Sequence, residues 1–441
     1  MSDRGRRQWL LALCLNLSAA AANAQLRIEV TSGVVDPIPV AVAPLVAADA
    51  ETLAALGTLD LAGIIRRDLE SSGRFRALAP ERMPADTSGS AALIAADWRA
   101  RGVDYLVRGR VSREGLAGFA IDYELVGALV GQTLITERVV TPNQTSAWRN
   151  AAHRVADRVY ERILGVRGAF ATRVAYVSVD GAPPTQSYQL IVADADGEGP
   201  RVVLESRQPL MSPAWSPDGE WLAYVSFESG AAAIYVQQLR TGERRRVSAR
   251  VGVNGAPAWA PDGQRMALTL SGSSGNLDLY LLELASQKLT RLTDDLAIDT
   301  EPVWSPDGVT LYFTSDRAGA PQVYRMRPGS SERPQRVTFG VGYAARPRVS
   351  PDGRQLAFVT RESGAFRIAI QELESGQVRT LTRGRLDESP SFAPNGALLI
   401  YAGRERGAAT LATVSVDGLT GQRLRADRGE VRDPAWGPFA R

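Results

Sequence analysis

The stretch Pro213-Ala214-Trp215-Ser216-Pro217-Asp218-Gly219 decides the fold, because it returns along the chain at a nearly constant interval. Its copies begin 43 to 45 residues apart, at Pro257, Pro302, Pro347, Pro390 and Pro434. The copy at Pro434 is truncated after its aromatic residue. A repeat of this length is typical of a β-propeller blade, which consists of four short strands.

Each full unit predicts four strands in a fixed order. The aromatic motif is the first strand, and the Pro-Asp-Gly turn follows because proline presets φ and glycine accepts a positive φ. In the first unit a second strand is predicted at 222–226, a third is centred on Tyr235, and a fourth carries the triplet Arg246-Val247-Ser248. The same three patterns recur in the later units, for example in the triplets that start at Arg291 and Arg336.

The three strands that the last unit lacks are found upstream of the first motif. Residues 173–178 match the second strand, 188–192 the third and 201–204 the fourth. We therefore predict six blades in a ring that is closed by both ends of the propeller, which removes open sheet edges. The propeller is expected to occupy residues 169–441.

Residues 25–165 lack the repeat and predict a small α/β domain. The expected strands are at 38–45 and 103–111, with a hairpin at 119–126 and 133–140, and the expected helices are at 60–71, 91–101 and 145–164. The last helix carries His153 beside its apolar stripe. We interpret this histidine, which has no evident partner in the sequence, as structural.

The first 24 residues predict a secretory signal peptide. Arg6 and Arg7 precede an apolar stretch at 9–17, and a small-x-small pattern predicts cleavage between Ala24 and Gln25. The apolar stretch is too short for a membrane anchor, and Cys14 follows a leucine that is larger than lipidation sites accept. The paired arginines faintly resemble a twin-arginine signal, so the export route stays open. No other apolar run is long enough to span a bilayer.

The segment directly behind the predicted cleavage site has two interpretations. Leu26, Ile28 and Val30 alternate with polar residues, which is the period of a half-buried strand. The segment 25–36 could be the first strand of the α/β domain, or an exposed peptide that adds a strand to the sheet of a partner. Both interpretations require the same alternation, so the sequence does not distinguish between them.

Composition excludes several functions. The 441 residues suggest two domains, and 51 Lys+Arg against 48 Asp+Glu leave a net charge of +3, too small for a nucleic-acid-binding protein. One cysteine and one histidine exclude disulfide scaffolds and Cys/His zinc sites, so we predict neither a metal nor a cofactor. The acidic run with Asp294, Asp295, Asp299 and Glu301 could attract calcium, but we interpret it as ordinary surface charge.

An enzyme is the main rival interpretation, since peptidases of the prolyl oligopeptidase type carry similar propellers. Their chemistry needs a serine on a Gly-x-Ser-x-Gly elbow and a histidine base. The sequence contains no Gly-x-Ser-x-Gly, and its one histidine lies in the small N-terminal domain. A quinone- or sugar-dehydrogenase propeller is another rival interpretation, but the sequence contains no metal-ligand cluster that would support it. We therefore predict no enzymatic activity.

Taken together, the signal peptide, the α/β domain, the six blades and loop phrases such as Leu210-Met211-Ser212-Pro213 and Leu386-Asp387-Glu388-Ser389-Pro390 resemble the TolB family. These are periplasmic propeller proteins of the Tol–Pal envelope system of Gram-negative bacteria. The resemblance covers essentially the whole mature chain. It implies a periplasmic protein that binds the lipoprotein Pal and the inner-membrane protein TolA, maintains outer-membrane integrity and supports constriction in cell division. Colicins and other outer-membrane or peptidoglycan-associated proteins are further implied partners.

Every loop that leads into a first strand should lie on one side of the ring, where propellers commonly bind. The alternative is an ordinary solvated rim, and the fourth loop, 341–346, resembles the family least. The Pal-binding residues expected there are Met211, Ser212, Asn254, Ala256, Asp299, Thr300, Glu301, Arg346, Asp387, Glu388, Ser389, Arg432 and Asp433. The resemblance also implies that the N-terminal peptide contacts TolA, through Gln25, Leu26, Arg27, Ile28, Glu29 and Val30.

Overall fold

A computed structural model describes residues 36–84, 89–115, 118–272, 275–405, 408–424 and 429–440. The predicted signal peptide, its cleavage site at Ala24 and Gln25, and the TolA-binding residues up to Val30 lie outside the described residues. Within the part that is described, no helix combines the length and apolar character needed to cross a membrane.

The N-terminal region is an α/β layer structure. Its strands are β1 (Ile38–Val42), β2 (Val46–Ala47), β3 (Phe75–Ala77), β4 (Tyr105–Glu114), β5 (Gly118–Gly127) and β6 (Gln132–Pro142). Its helices are α1 (Ala50–Leu56), α2 (Leu61–Ser71), a 3-10 turn (Pro80–Arg82), α3 (Ala91–Ala100) and α4 (Thr145–Leu164). The sheet order is β3-β1-β4-β5-β6, with β2 beside β4; β1 runs parallel to β3 and β4, whereas β4, β5 and β6 are antiparallel.

Helices cover both faces of this sheet. The side chains of α2 and α4, among them Ile65 and Trp148, form one core with Val107 and Ile121 of the sheet. Trp98 of α3 fills a second core on the other face. The sheet therefore has a hydrophobic core and helices on each of its two faces. This layered arrangement agrees with the predicted α/β class.

Three local features of this region differ from the predictions. The strand expected at 38–45 ends at Val42, with β2 following only at Val46–Ala47, and the sequence predicted neither β3 nor α1. Helix α1 begins at Asp49, whose carboxylate accepts a hydrogen bond from the backbone N–H of Thr52 at 2.7 Å. This N-cap stabilises a seven-residue helix whose apolar pattern is too short to recognise in the sequence.

The propeller consists of six four-stranded sheets in the described chain. Blades 1 to 3 comprise Leu210–Trp215, Trp221–Ser226, Ala233–Gln238 and Arg244–Ser248; Asn254–Trp259, Arg265–Leu270, Asp278–Glu283 and Leu289–Arg291; and Asp299–Trp304, Leu311–Ser315, Gln322–Met326 and Gln335–Arg336. Blades 4 to 6 comprise Ala344–Val349, Gln355–Glu362, Ala365–Glu372 and Val378–Thr380; Asp387–Phe392, Leu398–Glu405, Ala408–Ser415 and Gly421–Leu424; and Glu430–Trp436, Arg173–Asp180, Ser187–Asp194 and Arg201–Ser206.

Blade 6 closes the ring as predicted. Its first strand, Glu430–Trp436, pairs antiparallel with Arg173–Asp180, so that Trp436 lies opposite Val174. The indole N–H of Trp436 donates to the hydroxyl of Thr172 at 2.8 Å. The C-terminal strand is therefore the innermost strand of a blade that begins more than 250 residues earlier.

The motif tryptophans join neighbouring blades. The indole N–H of Trp215 donates to the carbonyl of Ala435, that of Trp259 to Ala214 and that of Trp304 to Ala258, at 3.0 to 3.2 Å. Each hydrogen bond runs from one first strand to the first strand of the preceding blade. The tryptophan of the repeat thus stabilises the ring, besides filling space between its sheets.

The fourth strands of blades 2 and 3 are shorter than the predicted triplets. In these blades the strand ends at Arg291 and at Arg336. The hydroxyl of Thr293 then accepts a hydrogen bond from the N–H of Leu279, and the hydroxyl of Thr338 accepts one from Val323. Because these side chains occupy donors of the third strand, the backbone there leaves the regular ladder.

His153 has partners that the sequence did not reveal. This histidine of α4 is 1% exposed, and its Nδ1 lies 2.7 Å from an Oδ2 atom of Asp68 in α2. The expectation that it has no partner was wrong. Asp68 is 85 positions away in the chain and comes close only because α2 packs on α4.

Candidate protein-binding face

Each first strand has an unusual residue directly before its motif proline. These residues have a positive φ of 46° to 55° although none is glycine; they are Ser212, Ala256, Glu301, Arg346, Ser389 and Asp433. The first two strands of every blade shift register at this position. Such backbone conformations are costly for residues with a side chain and often mark functional sites.

The six positive-φ residues line the central channel, which has a volume of about 510 Å³. Arg346 is the centre of an ion-pair network there: its Nη1 lies 3.0 Å from Asp433 Oδ1 and its Nε lies 3.3 Å from Glu301 Oε1. The hydroxyl of Ser389 also donates to Asp433, as does the N–H of Ser212. This network connects blades 3, 4, 5, 6 and 1 across the channel.

Ion pairs and hydrogen bonds keep the main groups of this channel network ionised. Burial opposes ionisation of Asp433, but Arg346 and the hydrogen bonds from Ser212 and Ser389 hold the pKa of Asp433 below its ordinary value. Burial likewise disfavours the charged Arg346, and the neighbouring carboxylates nevertheless raise its pKa. The channel residues therefore form charged, mutually paired groups, and a partner would meet them as a prearranged pattern.

Four predicted Pal-binding residues, Asn254, Asp299, Asp387 and Ser389, are buried. Asn254 accepts hydrogen bonds from the hydroxyl of Ser248 and the N–H of Arg250, and Asp387 accepts one from the N–H of Gly384. Asp299 forms two contacts with the guanidinium of Arg317, at 2.9 and 2.7 Å. Burial raises the pKa of Asp299 and of Asp387. Asn254, Asp299 and Asp387 thus bond within their own loops and blades, and Ser389 bonds to Asp433 in the channel.

Of the other nine predicted residues, five line the channel and four lie nearer the outer surface; the channel residues are Ser212, Ala256, Glu301, Arg346 and Asp433. Met211 and Arg432 are exposed, and Thr300 and Glu388 are half-buried. Met211, Glu388 and Arg432 line a depression of about 470 Å³ beside the channel, together with the channel residues Arg346 and Asp433. The structure thus brings part of the predicted set together around one opening.

Sequence reasoning missed the most exposed apolar residues of this side of the ring. Val251, Leu296 and Phe339 are 86%, 99% and 63% exposed. Each lies in the loop that leads into the first strand of blade 2, 3 or 4, and we call these the lead-in loops and their side of the ring the lead-in face. The detectable signal was the presence of apolar residues in loops that should be exposed, such as Val251 with Val253 and Leu296 with Ile298.

The fold and this face define a two-domain propeller protein whose main surface feature is a mixed apolar and charged face around a channel. Family models for the TolB amino-terminal domain and the TolB beta propeller domain match residues 26–134 and 160–440. Proteins named Tol-Pal system protein TolB from Alcanivorax borkumensis and Methylococcus capsulatus are 51% and 54% identical, with 98% of each chain covered. The crystal structure of TolB from Acinetobacter baumannii has a TM-score of 0.84 at 39% identity, covering 94% of this chain and all of that one.

The chain belongs to the TolB family and is a component of the Tol–Pal system. Its six-bladed propeller and N-terminal α/β region are those of the family.

Proposed function

We propose that this protein is a periplasmic adaptor that binds Pal through the lead-in face and TolA through the peptide 25–30. In this role it maintains outer-membrane integrity and supports constriction of the envelope during division. The protein acts by binding and has no catalytic step of its own. Colicins and other outer-membrane or peptidoglycan-associated proteins are further partners of the same surfaces.

One observation carries the Pal-binding part of the proposal. Val251, Leu296 and Phe339 expose apolar side chains on the lead-in loops of blades 2, 3 and 4, and Met211 and Arg432 border the charged depression that blades 5, 6 and 1 form on the same face. A face that combines exposed apolar side chains with charged groups is a common composition of a protein-binding site. The buried ion pair of Asp299 with Arg317 holds the lead-in loop of blade 3 in one conformation, which lowers the entropic cost of binding.

The test compares two apolar residues of blade 3 on opposite sides of the ring. Leu296 precedes the first strand of this blade and Val309 follows its Pro-Asp-Gly turn, so the length of the strand separates them. Both are exposed. Leu296→Asp should weaken binding of the soluble domain of Pal at least tenfold in calorimetry, because one hot-spot residue typically contributes about 2 kcal/mol or more. Val309→Asp, the matched control, should leave the affinity unchanged. Equal affinities for both variants would move the site away from the lead-in face.

A second pair tests charge rather than apolar contact. Arg432→Glu on the lead-in face should weaken binding and reduce its dependence on salt, whereas Arg354→Glu on the opposite face should not. Both arginines are exposed, so neither change should disturb the fold.

The TolA part rests on the alternation of apolar and polar residues in 25–30, which lie outside the described residues. Deleting residues 25–33 should abolish TolA binding and leave Pal binding in place. Ile28→Pro should weaken TolA binding more than Ile28→Ala, since proline also removes a backbone donor that strand addition needs. Hydrogen exchange at Ile28 and Val30 checks the alternative: protection as strong as that of β4, with and without Pal, would make the segment a strand of the domain.

A further inference from the structure

The two domains meet at a cluster of charged side chains that the proposed function does not use. Arg149 of α4 contacts Asp194 and Asp196, which lie at the turn after the third strand of blade 6. Its Nε lies 3.1 Å from Asp194 Oδ2, and its Nη2 lies 2.6 Å from Asp196 Oδ2. Hydrogen bonds within the turn, such as Gly197 N–H to the Asp194 carbonyl at 2.8 Å, fix both carboxylates.

His153 points one nitrogen into this cluster. Its Nδ1 is engaged by Asp68, and its Nε2 lies 3.8 Å from Asp194 Oδ2 and 3.9 Å from Asp196 Oδ2. These distances are too long for hydrogen bonds, and among the described residues Nε2 has no hydrogen-bond partner. An imidazole that is 99% buried normally has both nitrogens satisfied. An ion between Nε2 and the two carboxylates would satisfy this atom.

The spacing suits a metal ion. Nitrogen and oxygen ligands lie about 2.1 Å from a divalent ion such as zinc, so that two ligands of one ion are about 3–4 Å apart. Asp68 completes the arrangement, because a carboxylate that accepts the Nδ1 proton leaves Nε2 as the basic atom, as second-shell carboxylates do in many metal sites. Carboxylate oxygens of Asp68 and Asp196 and a ring nitrogen of His153 lie within 4.8 Å of one another.

The net charge of this cluster also favours binding of a cation. Asp68, Asp194 and Asp196 carry three negative charges against the single positive charge of Arg149. A metal ion needs a neutral His153, and the cluster then has an excess of two negative charges, which one divalent cation neutralises; with a protonated His153 the excess is one. The carboxylates of Asp194 and Asp196 remain partly exposed, which gives an ion a route from solvent.

We propose that the domain junction binds one divalent transition-metal ion through His153 Nε2 and one carboxylate oxygen each of Asp194 and Asp196, with Asp68 orienting the histidine. Such an ion would connect α4 of the N-terminal domain to blade 6 of the propeller. The sequence predicted no metal site, because these residues are spread over 129 positions without a ligand spacing. The site needs no cysteine and only one histidine.

A proton is the competing occupant of the site. Burial disfavours the charged form of His153, but Asp68, Asp194 and Asp196 outweigh it and raise its pKa to about 10. A metal ion must displace that proton, and its contacts with two carboxylates oppose those of Arg149. The experiment therefore has to separate an ion from a protonated histidine.

The test uses the mature full-length protein after removal of metals with EDTA. Calorimetry with Zn²⁺ should show one saturable site per chain, and the melting temperature should rise with Zn²⁺ concentration because only the folded state holds the site. Asp196→Asn should weaken this site at least tenfold while keeping the Oδ1 atom that accepts from the N–H of Glu198 at 3.0 Å. Asp295→Asn, an exposed acid on blade 3, is the control and should bind as the wild type does.

Two results would overturn the proposal. One is the lack of a saturable site in the wild-type protein, which would leave a protonated His153 as the sole occupant. The other is equal zinc affinity of the wild type, Asp194→Asn and Asp196→Asn, which would place the ion elsewhere. His153→Gln should also lose the site, and the two asparagine variants decide the outcome if that variant does not fold.

Discussion

The lead-in face and the domain junction are both rich in charged groups, but they arise in opposite ways. The lead-in face repeats one position six times, so that Glu301, Arg346 and Asp433 meet at the channel because blades recur at a fixed interval. The junction is built once, from α2, α4 and blade 6, where Asp68, Arg149 and Asp194 share no spacing. Positions that recur in a repeat can be recognised from the sequence, whereas a contact that occurs once can be recognised only from the structure.

The largest effect is expected from opening the ring. Removal of residues 433–441 deletes Trp436 and half of the closing strand, so blade 6 loses its innermost strand and the hydrogen bond to Thr172. We expect a loss of several kcal/mol in the free energy of unfolding by urea, since the removed strand buries apolar surface at about 25 cal/mol per Å². Removal of residues 440–441 alone is the control. Equal unfolding midpoints for both truncations would contradict six-bladed closure.

The next effect tests the buried part of the lead-in face. Asp299→Ala leaves the guanidinium of Arg317 without its fully buried partner, and breaking such a pair costs about 3–5 kcal/mol. Asp295→Ala, four positions earlier and exposed, should stay within about 0.5 kcal/mol. Denaturant unfolding of both variants measures the difference. A small loss for Asp299→Ala would make it a partner-contact residue, as the sequence suggested.

A smaller loss is expected at the domain junction. Arg149→Met keeps the length of the side chain but leaves Asp194 and Asp196 without their cation, and we expect a loss of about 1–3 kcal/mol in metal-free protein. Because the contact joins the two domains, scanning calorimetry should show their transitions moving apart. Arg154→Met on the same helix, whose side chain is exposed, is the matched control. Retention of a single transition at an unchanged temperature would show that Arg149 does not couple the domains.

The smallest effect on stability belongs to the exposed apolar residues of the lead-in face. Phe339→Ser removes a ring that is 63% exposed, so the free energy of unfolding should change by less than about 0.5 kcal/mol. Binding of the soluble domain of Pal should nevertheless weaken severalfold. A variant that melts earlier but binds normally would reverse the assignment of Phe339 as a contact residue.

The sequence predicted the fold well where residues recur or where a long pattern is complete. The Pro-x-Trp repeat predicted six blades and their closure, and the apolar stripe of α4 predicted its bounds, which are Thr145–Leu164 in the structure. It could not predict whether a lead-in residue is buried. Asp299 and Glu301 lie two positions apart in the same strand, yet the bulge at the positive-φ residue directs one into a buried pair with Arg317 and the other into the channel.

Other predictions that the structure corrected were wrong for the same physical reason: the contacts that decide them join residues distant in the chain. The hydroxyls of Thr293 and Thr338 end two outer strands by bonding to the neighbouring strand, and no local propensity encodes this. His153 was expected to have no partner because Asp68 lies in another helix. In each case the decisive contact depends on packing that sequence periodicity does not describe.

The pairing of Glu430–Trp436 with Arg173–Asp180 also sets the order of folding events. The strand Arg173–Asp180 is separated from its innermost neighbour by more than 250 residues, so blades 1 to 5 can form while blade 6 still has an unpaired edge. Closure of so long a loop is slow, and an unpaired edge can pair with another chain. The ring can therefore close only when the last residues join blade 6, which makes the interval between the fifth blade and the closing strand the period of greatest risk of misassembly.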